Sequence, residues 1–130
     1  MLGIGNGGSR LKILIRKSRG ITILDLRGKS TLGNSGSEIL SAELRRLSDN
    51  GVSNLLLNVE ELTQVDSSSI GALVRAYVAL RGKGGNLKLL RPRDRVKMVL
   101  NVFHLLDRIP NFEDETQALA SFGRPTLAGC

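Results

Sequence analysis

One aspartate followed by three serines, Asp66-Ser67-Ser68-Ser69, is the densest group of chemistry-bearing side chains in this 130-residue sequence. A carboxylate beside hydroxyls at the start of a helix suits two kinds of chemistry. The first is capping, in which side-chain oxygens accept from backbone N–H groups that the first helical turn leaves free. The second is modification. A phosphate added there meets those same N–H groups and the positive end of the helix dipole. It also adds roughly −1.5 to −2 charges to the surface, which can repel a docked partner without unfolding the domain. Residue types alone fit both.

Other chemistries find little support. A nucleophilic serine needs a base and a group that orients the base. The one histidine, His104, lies in the apolar stretch Val102-Phe103-His104-Leu105-Leu106 and reads as a packed or half-exposed structural residue. One Cys (Cys130) and one His cannot supply the usual four zinc ligands, and a single cysteine excludes an internal disulfide. The segment Gly82-Lys83-Gly84-Gly85 lacks the spacing of a phosphate-binding loop. No catalytic residue, metal or cofactor is expected.

The elements that must position the serines follow from periodicity. Leu11–Lys17 and Ile21–Leu26 read as strands of a hairpin turning at Ser18-Arg19-Gly20, with Gly28 as its end. Ser35 and Glu38 have capping-box spacing ahead of Leu40, Leu44 and Leu47, and Asn50-Gly51 closes that helix. The apolar run Asn54–Val59 suits a central strand covered on both faces. A polar loop then leads into a helix with Ile70, Leu73, Val74, Tyr77 and Val78 on one face, broken at Lys83-Gly84-Gly85. Leu87–Leu90 is the next strand. Pro92 suits the first turn of a third helix whose stripe is Val96, Val99, Leu100 and Phe103. A short edge strand near Phe112 and a last helix follow, the latter capped by Asp114 with Ala118, Leu119 and Phe122 turned inward. Two strands and then alternating helix and strand predict a single α/β domain. Its mixed sheet should have four to five strands, with about four helices packed against it. Residues 1–9 are expected to be disordered, 10–123 to form the domain, and 124–130 to be a flexible tail.

The formal charge is +7. Arg75, Arg81, Lys83, Lys88, Arg91, Arg93, Arg95 and Lys97 are opposed within that span only by Asp94. This predicts a solvated basic face or a dock for an acidic protein. With one Tyr, three Phe and no Trp, base-stacking platforms are scarce, and no nucleic-acid motif appears. Direct nucleic-acid binding is therefore not expected. No apolar run approaches the ~20 residues of a membrane span, and the N-terminus lacks the basic start and apolar core of a secretion signal. A cytoplasmic protein, monomeric or weakly dimeric, is the expectation.

The stretch Val65-Asp66-Ser67-Ser68-Ser69-Ile70-Gly71, followed by an apolar helix and Gly84-Gly85-Asn86-Leu87-Lys88-Leu89-Leu90, resembles the STAS domain of bacterial anti-sigma-factor antagonists. Leu55-Leu56-Leu57-Asn58-Val59 and Ala118-Leu119-Ala120-Ser121-Phe122 share the likeness, which spans about residues 11–123. The resemblance implies a mixed sheet with its helices mainly on one face, and a non-enzymatic partner switch. The unphosphorylated antagonist binds a serine-kinase anti-sigma factor and so frees a sigma factor. The kinase phosphorylates the first serine after the aspartate, here Ser67, with Ser68 as the alternative, and a phosphoserine phosphatase restores binding. Asp66 would shape the loop and Ser68 would cap the helix. The partner would contact Asp66, Ser67, Ser68, Ser69, Ile70, Leu73 and Arg75. The alternative is a STAS scaffold subunit of a stressosome-like or lipid-transport complex that does not switch. Two positions depart from the family pattern. Ser69 stands where a glycine is common, and Lys29-Ser30-Thr31 follows Gly28 where an acidic residue is common.

Overall fold

The computed structural model describes residues 11–122. The expected terminal segments, 1–9 and 124–130 with Cys130, lie outside the described residues. Strands β1 (Lys12–Ser18) and β2 (Ile21–Ser30) form the antiparallel hairpin. Arg19 and Gly20 at its turn both have positive φ, 56° and 79°, which matches the twist of the flanking strands. A 3-10 turn (Leu32–Asn34) precedes helix α1 (Gly36–Asp49). Strand β3 (Asn54–Val65), helix α2 (Ser67–Gly82) and strand β4 (Asn86–Leu90) follow. Helices α3 (Asp94–Val102) and α4 (Leu105–Arg108), strand β5 (Asn111–Phe112) and helix α5 (Glu115–Phe122) complete the order. The strands lie side by side as β1-β2-β3-β4-β5, and every pair after the first is parallel.

The sheet has two dry faces. On one, Leu24 and Leu26 of β2, Leu55 and Leu57 of β3, and Leu87 and Leu89 of β4 pack with α1 to α4. On the other, the alternate residues Ile21, Ile23, Leu56 and Leu90 meet Ala118 and Leu119 of α5. The unbroken apolar run of β3 reflects this double cover. Burying six leucines completely in three adjacent strands removes roughly 2 kcal/mol of exposure per side chain.

Four sequence expectations shift at element ends. Gly28 does not end β2, which runs on to Ser30, and β3 does not stop at Val59 but reaches Val65. The reason is mutual: each extension pairs with the other, Gly28 with Leu62 and Ser30 with Val65, across bulges between Asp25 and Arg27 and between Gly28 and Lys29. The Ser35–Glu38 capping box does not form. Ser35 has φ 65° and its side chain makes no cap hydrogen bond. Instead the Asn34 side chain accepts from Gly36 N–H at 2.9 Å, and the Thr31 carbonyl accepts from Ser37 N–H. Pro92 precedes the N-cap Arg93 rather than occupying the first turn of α3. At the other end of the domain the Asp114 cap forms as expected, accepting from Gln117 N–H at 2.9 Å.

Candidate functional site

The extension of β2 and β3 brings their carboxyl ends level at one edge of the molecule. No polar loop follows β3, contrary to the sequence expectation. A single residue, Asp66, joins the strand to α2. The serines therefore form the first turn of the helix, and their environments separate by helical geometry.

Asp66 is the N-cap, with extended backbone (φ −130°, ψ −175°). Its Oδ1 accepts from Ser69 N–H at 3.2 Å and from the Ser68 hydroxyl at 2.6 Å. Its Oδ2 accepts from Leu32 N–H at 2.8 Å, tying the segment after β2 to the start of α2. Burial acts to raise the Asp66 pKa. The hydrogen bonds from the Ser68 hydroxyl and from the N–H groups of Leu32 and Ser69 outweigh it and hold the carboxyl below its ordinary value. Asp66, not Ser68, thus does the capping, and Ser68 is a donor to the cap.

Ser69 is fully buried, as is Ser30 at the end of β2. Their Oγ atoms lie 2.6 Å apart, and the Ser69 hydroxyl donates to the Ser30 carbonyl. The two departures from the family pattern thus meet in one place. Ser67 is the exposed member of the three, and its hydroxyl has no hydrogen-bond partner among the described residues.

The expected contact set divides accordingly. Ser67 and Arg75 are exposed, and Asp66 and Ser68 are partly so. Ser69, Ile70 and Leu73 are buried against the sheet and cannot touch a docked protein in this conformation. The face expected from the spacing is rotated: Ile70, Ala72, Leu73 and Leu80 turn inward, whereas Val74 and Val78 are 39% and 63% exposed. Leu32, 61% exposed and bonded through its N–H to Asp66, joins the same surface. Spacing did not single out Leu32, because it becomes a neighbour of the serines only through the pairing of β2 with β3.

The basic segment is not one solvated face. Lys88 is 7% exposed, with its ammonium 2.8 Å from Ser121 Oγ and above the rings of Phe122 (4.6 Å) and Phe112 (5.8 Å). Arg91 and Arg93 pair with Glu60, and Arg93 also pairs with Glu113 at 2.8 Å. Arg75, Arg81, Arg95 and Lys97 remain exposed. His104 is exposed rather than packed, in left-handed conformation between α3 and α4, with Nδ1 3.6 Å from Asp107. Among the described residues, no group of three His, Cys, Asp or Glu side chains could hold a metal ion. No helix there is long and apolar enough to cross a membrane.

A mixed, mostly parallel five-stranded sheet with four helices on one face and one on the other, bearing a serine cluster at a strand-to-helix joint, defines a small α/β module. The STAS domain family model matches residues 12–118, and the chain belongs to that family. An anti-sigma factor antagonist from Mycobacterium paratuberculosis superposes with a TM-score of 0.78, at 13% identity, covering 93% of this chain and 98% of that one. The Bacillus cell fate determinant SpoIIAA in its phosphorylated form superposes with a TM-score of 0.65, at 20% identity, covering 85% and 98%. The murine anion transporter Slc26a9 contains the same fold, with a TM-score of 0.64 and 16% identity, over 82% of this chain and 18% of the transporter.

Proposed function

We propose that this chain is an anti-sigma-factor antagonist that acts by binding rather than catalysis. Unmodified, it docks on a serine-kinase anti-sigma factor and so releases a sigma factor. Phosphorylated on Ser67, it lets go, and a phosphoserine phosphatase resets it. The observation that carries this reading is the sorting of the three hydroxyls. Ser69 is buried and bonded to β2, and Ser68 is engaged by Asp66. Ser67 alone stands exposed without a partner at the mouth of α2. A kinase can reach it without opening the fold. The added charge is tolerated at a helix N-terminus but must be desolvated by anything seated on Leu32, Val74, Arg75 and Val78. Stranding a charge in a contact patch costs several kcal/mol, enough to release a micromolar complex. The likeness to SpoIIAA, known in a phosphorylated form, supports this assignment.

The test is a pulldown from the native host with wild type, Ser67→Ala and Ser67→Asp. Wild type and Ser67→Ala are expected to capture an ATP-binding, kinase-like protein, and Ser67→Asp to lose it. Incubating the captured kinase with ATP should label wild type and Ser68→Ala but not Ser67→Ala. Equal capture by all three proteins overturns the switch. The fold's occurrence within an anion transporter supports a second reading, a STAS scaffold subunit that never switches. Ser67 found unmodified in cells that contain the kinase would favour that reading.

A further inference from the structure

A cleft of about 270 Å³ opens between α1 and α2, beside the carboxyl ends of β2 and β3. Open parallel sheets place their ligands at such ends. A water occupies about 30 Å³ in the liquid, so the cleft has room for a small polyatomic ligand. Its polar lining is Ser37, Glu38, Ser41, Arg45, Ser68 and Arg75.

Two features of this lining are unspent in the fold. Ser37 is 3% exposed, and its hydroxyl is the one buried side-chain polar atom without a hydrogen-bond partner among the described residues. Such a group carries a cost until something reaches it. Arg45 and Arg75 form no ion pair among the described residues, so neither guanidinium is committed to a carboxylate. Arg75 also folds back along α2. A Cβ built on Gly71 would come 3.3 Å from its Nη1, so the glycine leaves room for the guanidinium to lie toward the first turn. The negative groups nearby are Glu38, exposed in the lining, Asp49, exposed and sharing an adjoining hollow with Arg45 and Arg75, and Asp66, whose oxygens are taken by Ser68, Leu32 and Ser69. Two planar guanidinium forks and several serine hydroxyls lining one cleft suit a tetrahedral oxyanion.

We propose that the cleft between α1 and α2 binds a phosphoryl group, held by Arg45 and Arg75 with Ser37 as a buried hydroxyl partner. The group could be a free phosphate or phosphate ester, or the phosphate on Ser67 of this chain. The site goes beyond the switch, because the first source does not require Ser67 to be modified.

The experiment follows backbone amide resonances of the unphosphorylated chain on addition of inorganic phosphate, with chloride at equal ionic strength as the control. Amides of Ser37, Ser41 and Ser68 should shift saturably. Arg75→Ala and Arg45→Ala should each weaken the response about tenfold or more, as expected for a lost charge-assisted fork. Ser37→Ala should weaken it a few-fold, and Lys97→Ala should not. The spectra also report whether each variant is folded. A second arm uses protein carrying phosphoserine at position 67. If that phosphate is the occupant, the same amides are displaced before any phosphate is added, and Arg75→Ala abolishes the displacement. Arginine-dependent shifts in either arm support the site and identify its source. No shift in both arms, or shifts that survive removal of both arginines, overturn it. Failure of the host kinase to modify Ser67 would sink the switch yet leave the first arm intact.

Discussion

Asp66 concentrates more of the local structure than any other side chain at the joint, since it serves one hydroxyl and two backbone N–H groups with two oxygens. Replacing it with alanine should cost about 1–2 kcal/mol, the usual range for a lost N-cap, measured by urea unfolding. Its pH signature has a definite sign. The folded-state pKa is lowered from 3.8, so the unfolded chain binds more protons in that window. The carboxylate's contribution is complete above about 3.8 and is lost as pH falls through the folded value. Asp66→Asn, which keeps a capping oxygen, should therefore unfold with a shallower acid dependence than wild type below about pH 4. The buried Ser30–Ser69 pair makes a different prediction. Ser69→Ala leaves the Ser30 hydroxyl without its partner and should destabilise by about 1–3 kcal/mol, while Ser30→Ala with Ser69→Ala should recover part of that loss. A double-mutant cycle reads the coupling directly.

At the element scale, the residue just before β4 runs hard against the residue just before β3. A Cβ on Gly85 would sit 1.8 Å from the Ser53 carbonyl oxygen. Gly85→Ala should therefore be among the most damaging single substitutions, several kcal/mol by thermal unfolding. Gly85 had been legible only as a helix breaker, since a close approach between distant segments leaves no trace in local spacing. The strands and helices themselves were legible, because each buries an apolar stripe with its own period. What misled at the ends was tertiary pairing. Glu60–Val65 looks polar and loop-like on its own, and becomes strand because β2 offers it a partner. The same pairing turned the serine loop into a helical turn, so the residue types of the site were readable while the exposure of each serine was not. The phase of α2 was misjudged for a related reason. Val74 and Val78 are apolar yet face outward, and nothing in a single helix says which of two apolar edges meets the sheet.

At the scale of the whole molecule, α5 covers the face opposite the other helices and is fastened by two charged contacts. Arg16 on β1 bridges Asp25 and Glu115, and Lys88 on β4 reaches Ser121. Burial lowers the Lys88 pKa from 10.5, so the unfolded chain binds more protons just below that value. Stability conferred at this position consequently rises with pH. As pH rises toward about 10.5, wild type should gain stability relative to Lys88→Met, as followed by urea unfolding at each pH. A parallel dependence in both proteins would place the ammonium in water, contrary to its position among Ser121, Phe122 and Phe112.

The one-residue joint between β3 and α2 leaves no slack. A flexible linker could reel in or pay out when a bulky dianion is attached, turning the modification into a change of shape. Here Ser67 sits in the first turn of a helix packed on the sheet, so chains with and without a phosphate on it should share one backbone and differ in the electric field they present. Discrimination then rests with the molecule that reads the surface.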